Sequence, residues 1–135
     1  MNDTQMRELF QTVRTIATVG YSTNPERPGS YVPEYLMRKG YRVIPVNPML
    51  QDALGEKAYP DLLAIPEKVD VVQIFRRPED VPALVEQAIQ IGAKYVWMQI
   101  GAANKDAAQK AQAAGLLVAM DKCMMIEHKR LFGTR

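Results

Sequence analysis

The chain has one cysteine, one histidine and one tryptophan, and these scarcities close off several kinds of chemistry. A single cysteine cannot form an internal disulfide, so a reducing compartment is expected. Paired metal-ligand spacings are missing throughout, so no metal site is expected. The formal net charge is only +2. That excess is too small to argue for nucleic acid, though it permits a local cationic site for phosphate. No apolar run is long enough to span a membrane, and residues 1–10 are polar and mixed in charge, without the apolar core of a signal peptide. By elimination, the expected location is the cytoplasm. Internal repeats, low-complexity tracts and linkers are also missing. A chain of 135 residues holds one domain with a real core but is short for two, so residues 1–135 are expected to form a single domain.

Hydrophobic stretches alternate with amphipathic ones. Residues 4–13 carry Met6, Leu9, Phe10 and Val13 at helical spacing, with Asp3 or Thr4 as the cap, and read as a lid over a sheet edge. Residues 14–19 read as strand one. A helix is expected from about Ser30, with Ser30 as its cap and Pro33 confined to its first turn. Strand two covers 41–46. Pro45 in it has no amide for a ladder, which puts this strand near the sheet edge. Residues 56–59 suggest a very short third strand. Residues 69–75 are nearly continuously apolar, as in a strand buried on both faces. Helices at 79–91, 104–114 and 122–131 alternate with strands at 94–100 and 116–120, and 133–135 is expected to fray. The pattern predicts an α/β fold: a doubly wound parallel sheet of five to six strands, covered on both faces by helices. The expected strand order is 3-2-1-4-5 with a possible sixth.

In such a sheet, ligands bind at the carboxyl ends of the strands, where the strand order reverses. Strand one is the expected switch point. Its end, Gly20-Tyr21-Ser22-Thr23, offers a glycine for close approach, amides for phosphate oxygens, and two hydroxyls. In the loop behind it, Pro25 and Pro28 limit the freedom of the chain around Arg27, a candidate phosphate ligand. Gly20 and Gly29 are too far apart for the three-glycine dinucleotide fingerprint, which speaks against a tight NAD-type turn. Asn47-Pro48 ends strand two. An acidic ribose ligand is missing there, although the Asn47 amide can donate and accept. Phe75-Arg76-Arg77 ends the long apolar strand, where Phe75 can wall a pocket and an arginine can grip phosphate. Gln99 to Ala102 and Asp121 to Cys123 end the next two strands. Cys123 and His128 are not at one-face helical spacing, so no Cys–His dyad is suggested and no catalytic residue is assigned. Each of these residues also has a plainer reading, as turn, core or solvated surface.

Taken together, the chain resembles the small stand-alone CoA-binding proteins, whose domain is similar to the N-terminal domain of the succinyl-CoA synthetase alpha subunit. The resemblance rests on Val19-Gly20-Tyr21-Ser22, Gly40-Tyr41-Arg42-Val43-Ile44-Pro45-Val46-Asn47-Pro48 and Gly55-Glu56-Lys57-Ala58-Tyr59. It continues through Asp70-Val71-Val72 with Phe75-Arg76, Val96-Trp97-Met98-Gln99-Ile100-Gly101 and Asp121-Lys122-Cys123. It implies a Rossmann-like fold with CoA, or an acyl-CoA, across the ends of strands one, two and four. By the same resemblance, Gly20, Tyr21, Ser22 and Thr23 would meet phosphates or pantetheine. Asn47 and Pro48 would take the adenosine side, Phe75 and Arg76 the other wall, and Lys57 a phosphate. The synthetase's active-site histidine belongs to a later domain, so the resemblance carries no catalytic residue onto this chain.

Three functions compete. The first is a CoA-binding module without chemistry of its own. The second is an enzyme, either an NAD(P) oxidoreductase or an acyl-transfer enzyme using Cys123. The third is a regulatory or scaffold protein that senses the CoA state. The missing glycine fingerprint weighs against NAD, and the lack of a base near Cys123 weighs against acyl transfer. The small molecule expected under the first reading is coenzyme A, with no nucleic acid and no membrane.

Overall fold

A computed structural model describes residues 1–133; the last two residues of the expected frayed end, Thr134 and Arg135, lie outside the described residues. The strands are β1 (Thr15–Val19), β2 (Arg42–Val46), the two-residue β3 (Asp52–Ala53) and β4 (Glu56–Lys57), β5 (Val71–Ile74), β6 (Tyr95–Met98) and β7 (Leu117–Met120). The helices are α1 (Asp3–Thr12), α2 (Pro28–Arg38), α3 (Val81–Gln90), α4 (Lys105–Ala113) and α5 (Met124–Phe132). Five strands form one sheet in the order β2-β1-β5-β6-β7. Every pairing in it is parallel. The order reverses direction at β1, the expected switch point.

Both sheet faces are covered, which is why the central strands are apolar throughout. Ala17, Ile44, Val72, Val96 and Val118 face α3 and α4, which contribute Val85, Ala88, Ala108 and Ala111. Ile16, Val43, Val71, Tyr95, Trp97 and Ala119 face the other layer, where α1, α2 and α5 contribute Leu9, Leu36 and Met124. Helix α1 is therefore part of a covering layer and not a lid over the edge. Phe10 reaches the middle of that face, with its ring centroid 5.8 Å from that of Trp97. The cap of α1 is Asn2, one residue before the expected position. Its side chain accepts from the Gln5 N–H at 2.8 Å, while the Gln5 side chain accepts from the Asn2 N–H at 2.9 Å. This pair satisfies two orphan amides reciprocally.

The third strand is not a member of the sheet. Residues 52–57 fold instead into the antiparallel hairpin β3–β4. Its two turn residues, Leu54 and Gly55, have φ of 57° and 73°. Positive φ at both is the hairpin turn that matches strand twist. Leu54 is a poor residue for that turn, but its side chain packs against the α1–α2–α5 layer. What remains of the expected edge strand is a single parallel bridge between Val46 and Tyr59. In it the Tyr59 N–H donates to the Pro45 carbonyl at 3.1 Å. Pro45 thus lies next to the edge, as its missing amide requires.

Helix α2 begins two residues earlier than Ser30, with Pro28 at its first position and Arg27 as N-cap. A proline there is preset to helical φ and gives up no bond. Pro33 therefore falls in the helix interior, not in the first turn. It has no N–H for the Gly29 carbonyl, and that carbonyl accepts instead from the Ser22 N–H at 3.2 Å.

A titratable cluster sits between α2 and α5. His128 Nδ1 is 2.7 Å from the Tyr35 hydroxyl. Phe10, Tyr41 and Phe132 surround the imidazole ring. Burial pushes the Tyr41 hydroxyl up to about 12, with Tyr35 adding to the effect, so it remains a donor, and it donates to the Phe10 carbonyl. Desolvation, and then the charge of Lys39, hold His128 below its ordinary range. The folded protein therefore binds fewer protons than the unfolded chain, and stability is lost as pH falls through about 6.5. Urea melts across that window are expected to show lower midpoints on the acid side, with a flatter profile in His128→Phe. An unchanged pH profile in the variant would show that the ring does not carry the effect.

Candidate functional site

The ends of β1, β2, β5 and β6 and the starts of α2 and α5 surround an open cleft of about 960 Å³. Its walls include Gly20, Tyr21, Ser22, Thr23, Arg27, Asn47, Phe75, Arg76 and Arg77. These nine expected residues come from three separate segments, after β1, β2 and β5, and the right-handed crossovers bring them to one end of the sheet.

The centre of the cleft is closed by a contact that only glycine permits at Gly20 and by a tight one at Gly29. Gly20 has φ +85°, and a Cβ on it would lie 3.1 Å from the Phe75 carbonyl carbon and closer still to its oxygen. A Cβ on Gly29 would lie 3.0 Å from the Gly20 carbonyl oxygen. So β5, β1 and α2 approach through their backbones at the switch point. The expected glycines serve this stacking, which is why they need not be close in sequence. The N-terminus of α2, with Pro28 and Gly29 on the cleft wall, brings its positive dipole end to the same place.

The hydrogen bonds already made show which groups remain for a ligand. The Gly20 N–H donates to the Val46 carbonyl at 3.1 Å, and the Ser22 N–H is taken by Gly29. The amides of Tyr21 and Thr23 have no protein partner among the described residues. The Asn47 side chain is largely structural. Its Nδ2 donates to the Tyr21 carbonyl at 2.8 Å, and its Oδ1 accepts from the Met49 N–H at 2.8 Å. One amide proton and one lone pair are left. Arg76 is held by Asp80 at 3.0 Å, and Arg77 lies 3.8 Å from the same carboxylate. Arg27 has no carboxylate partner among the described residues. Of the three arginines that line the cleft, it is thus the one least committed to the protein.

Two expected residues are not brought to the cleft. Lys57 lies on the β3–β4 hairpin, with its ammonium 5.4 Å from the Tyr59 ring. Pro48 is exposed at the turn after β2 and does not line the cleft. The hairpin turn at Leu54-Gly55 carries Lys57 away from the strand ends. The cleft also takes in residues that sequence reasoning left out. Tyr31, Met49 and Leu50 lie towards β2, and Gln99, Ile100, Gly101, Ala102, Cys123 and Ile126 lie beyond β5. The second group stands at two strand ends, which was the available signal, but only the sheet order shows that they extend the same groove.

Gln99 ends a buried polar row across the sheet. The Thr18 hydroxyl is 2.7 Å from Gln73 Oε1, Gln73 Nε2 donates to Gln99 Oε1 at 3.4 Å, and the Met124 N–H donates to that oxygen at 2.9 Å. This row fixes the first residue of α5 relative to the central strands. Among the described residues, no group of three metal-ligating side chains occurs. None of the helices described is long and apolar enough to cross a membrane. His128, paired with Tyr35, does not line the cleft and so is not placed to serve Cys123 as a base.

Fold and cleft together define a Rossmann-like α/β domain with an open site at its switch point. The chain belongs to the CoA binding domain family, whose model matches residues 14–129. It is 36% identical over 124 residues to the protein YneT of Bacillus subtilis strain 168, covering 92% of each chain. It is similar in structure to a protein of Pyrococcus horikoshii OT3, with a TM-score of 0.95 and 45% identity over 98% of this chain and 94% of that one. A stretch of 91 residues is 32% identical to the ADP-forming acetate–CoA ligase II of Archaeoglobus fulgidus. That match covers 66% of this chain but only 13% of the ligase.

Proposed function

We propose that the 135 residues act as one domain that binds coenzyme A, free or acylated, in this cleft and carries out no thioester chemistry of its own. The observation that carries the reading is the closure of β1, α2 and β5 on one another through Gly20 and Gly29, in a chain of the CoA binding domain family. That closure presents the Tyr21 and Thr23 amides and the α2 N-terminus to a diphosphate. The adenosine lies towards Asn47 and Met49 at the β2 end. Arg27, at the start of the helix leading to β2, takes the 3′-phosphate, and Arg76 faces the diphosphate from the β5 side. The arm of the cofactor then passes Phe75. The protein works in the cytoplasm, a reducing compartment suited to a chain whose one cysteine has no internal disulfide partner.

CoA carries a 3′-phosphate that dephospho-CoA and NAD do not. A charge-assisted hydrogen bond to it is worth about 1.5–3 kcal/mol, or roughly ten- to hundredfold in affinity. The expected affinity order by titration calorimetry is CoA, then dephospho-CoA, then NAD. Arg27→Ala should narrow the gap between the first two, and raised salt should do the same because Arg27 is exposed. Equal affinity for CoA and dephospho-CoA would remove the 3′-phosphate argument, and tighter NAD binding would sink the reading.

Acetyl-CoA and succinyl-CoA are expected to survive incubation with the protein, since its one histidine does not line the cleft with Cys123. Free thiol released faster than in buffer alone, and abolished by Cys123→Ser, would show thioester chemistry after all.

A further inference from the structure

The half of the cleft beyond β5 differs in chemistry from the half around Arg27. Gln99, Ile100, Ala102, Cys123 and Ile126 line it, and none of them is charged. Ile100 and Ile126 are 65% and 51% exposed, so this end offers apolar surface at its rim. Gln99 is 3% exposed. Its Oε1 accepts from both the Met124 N–H and Gln73 Nε2, and two donors on one oxygen settle which way the amide points. Its Nε2 has no partner among the described residues. Unlike the orphaned Gln87 Oε1, that nitrogen keeps some accessible surface, and Gln99 is a wall residue of the cleft. A nearly buried donor of this kind calls for an acceptor. Beside it lies Cys123, 8% exposed, the N-cap residue of α5, whose side chain makes no capping bond.

The order of groups along CoA follows the order of strands along the cleft. The adenosine and phosphates match the cationic half at β2, β1 and α2. The neutral arm, with its amide carbonyls and terminal thiol, matches the uncharged half at β6 and α5. Gln99 Nε2 donates to a carbonyl of the arm, and the thiol end comes to Cys123.

Resting on the proposed CoA binding, we propose that Cys123 is a redox attachment point for CoA. The reaction is exchange with CoA disulfide, the oxidised form of the cofactor. The Cys123 thiol gives its proton to water, and Sγ attacks one sulfur of the disulfide. A new S–S bond joins Cys123 to one CoA, the old S–S bond breaks, and the second CoA leaves as a thiolate that takes a proton from water. Cys123 is oxidised and the departing CoA is reduced, so no further reagent is needed. A small thiol reverses the step. The site thereby holds CoA reversibly when the thiol pool is reduced and covalently when it is oxidised.

The test uses the native protein, reduced and then freed of reductant. Equal concentrations of CoA disulfide or glutathione disulfide are added, and adducts are followed by intact-mass spectrometry. A single CoA adduct on Cys123, absent from Cys123→Ser, is expected. It should form roughly tenfold or more faster than the glutathione adduct, because binding brings the two sulfurs together. Excess desulfo-CoA, which has no thiol, should slow the CoA reaction and leave the glutathione reaction unchanged. Equal rates for the two disulfides, or no slowing by the competitor, would overturn the proposal. A parallel titration of the native protein with CoA in reductant separates the two ideas. Binding there without selective adduct formation rejects only the redox attachment, whereas no binding rejects the CoA reading along with it.

Discussion

Trp97→Ala is expected to cost about 3–5 kcal/mol of stability. The indole is fully buried in β6, at 0% exposure. It packs against Phe10 of α1, and its Nε1 donates to the Lys122 carbonyl at 2.8 Å. Truncation therefore leaves a cavity between sheet and helices and a carbonyl without its donor, just before Cys123. Trp97→Phe keeps most of the volume and loses the hydrogen bond, which is worth only about 1 kcal/mol. Urea melts of the three proteins measure the difference. A Trp97→Ala protein with a native midpoint would show that the indole is not the keystone of this layer.

The second large effect is expected at Gly20. Gly20→Ala places a methyl group against the Phe75 carbonyl on a backbone already at φ +85°. The strain of positive φ alone is on the order of 1–2 kcal/mol for a residue with a side chain. The collision adds to it, and it is relieved only if the end of β5 moves away from β1. Gly40→Ala is the matched control. Its φ is +100°, but a Cβ there meets nothing within 4 Å. Gly40→Ala should show only the backbone cost and keep CoA affinity. Gly20→Ala should lose roughly 3 kcal/mol or more and bind CoA poorly even where it remains folded. Melting and calorimetry of the pair decide the matter. Equal losses in both variants would mean that the close approach of β1 and β5 has no special weight.

The sheet was legible from sequence because its central strands are buried on both faces and so read as apolar runs, bounded by helices of ordinary length. Residues at the ends of β1 and β5 were legible because a parallel sheet has a predictable business end. The hairpin was not legible, since Leu54 is an unlikely residue for a left-handed turn and only its packing against a helix layer accounts for it. The same hairpin sets Lys57 outside the cleft walls. The start of α2 was misread because Ser30 is a good cap by type, whereas Pro28 had already set the helix. Gln99 and Cys123 stood at recognised strand ends. Nothing local told that β6 and α5 lengthen the groove begun by β1, because that follows from which strands are neighbours. The orientation of the Gln99 amide depends on Gln73, which in sequence is one polar letter in an apolar strand.

The interior proline of α2 has a kinetic consequence. Because Pro33 leaves the Gly29 carbonyl to the Ser22 amide, the loop of residues 22–29 is closed into a ring by the protein's own backbone, ligand or no ligand. The Ser22 amide proton should exchange slowly with solvent in the empty protein and change little on saturation, while the Tyr21 and Thr23 protons should slow when ligand arrives. A loop that is already tied has no ordering step to wait for. Capture of the cofactor should then be a single bimolecular event, its observed rate rising linearly with cofactor concentration and showing no plateau from loop closure.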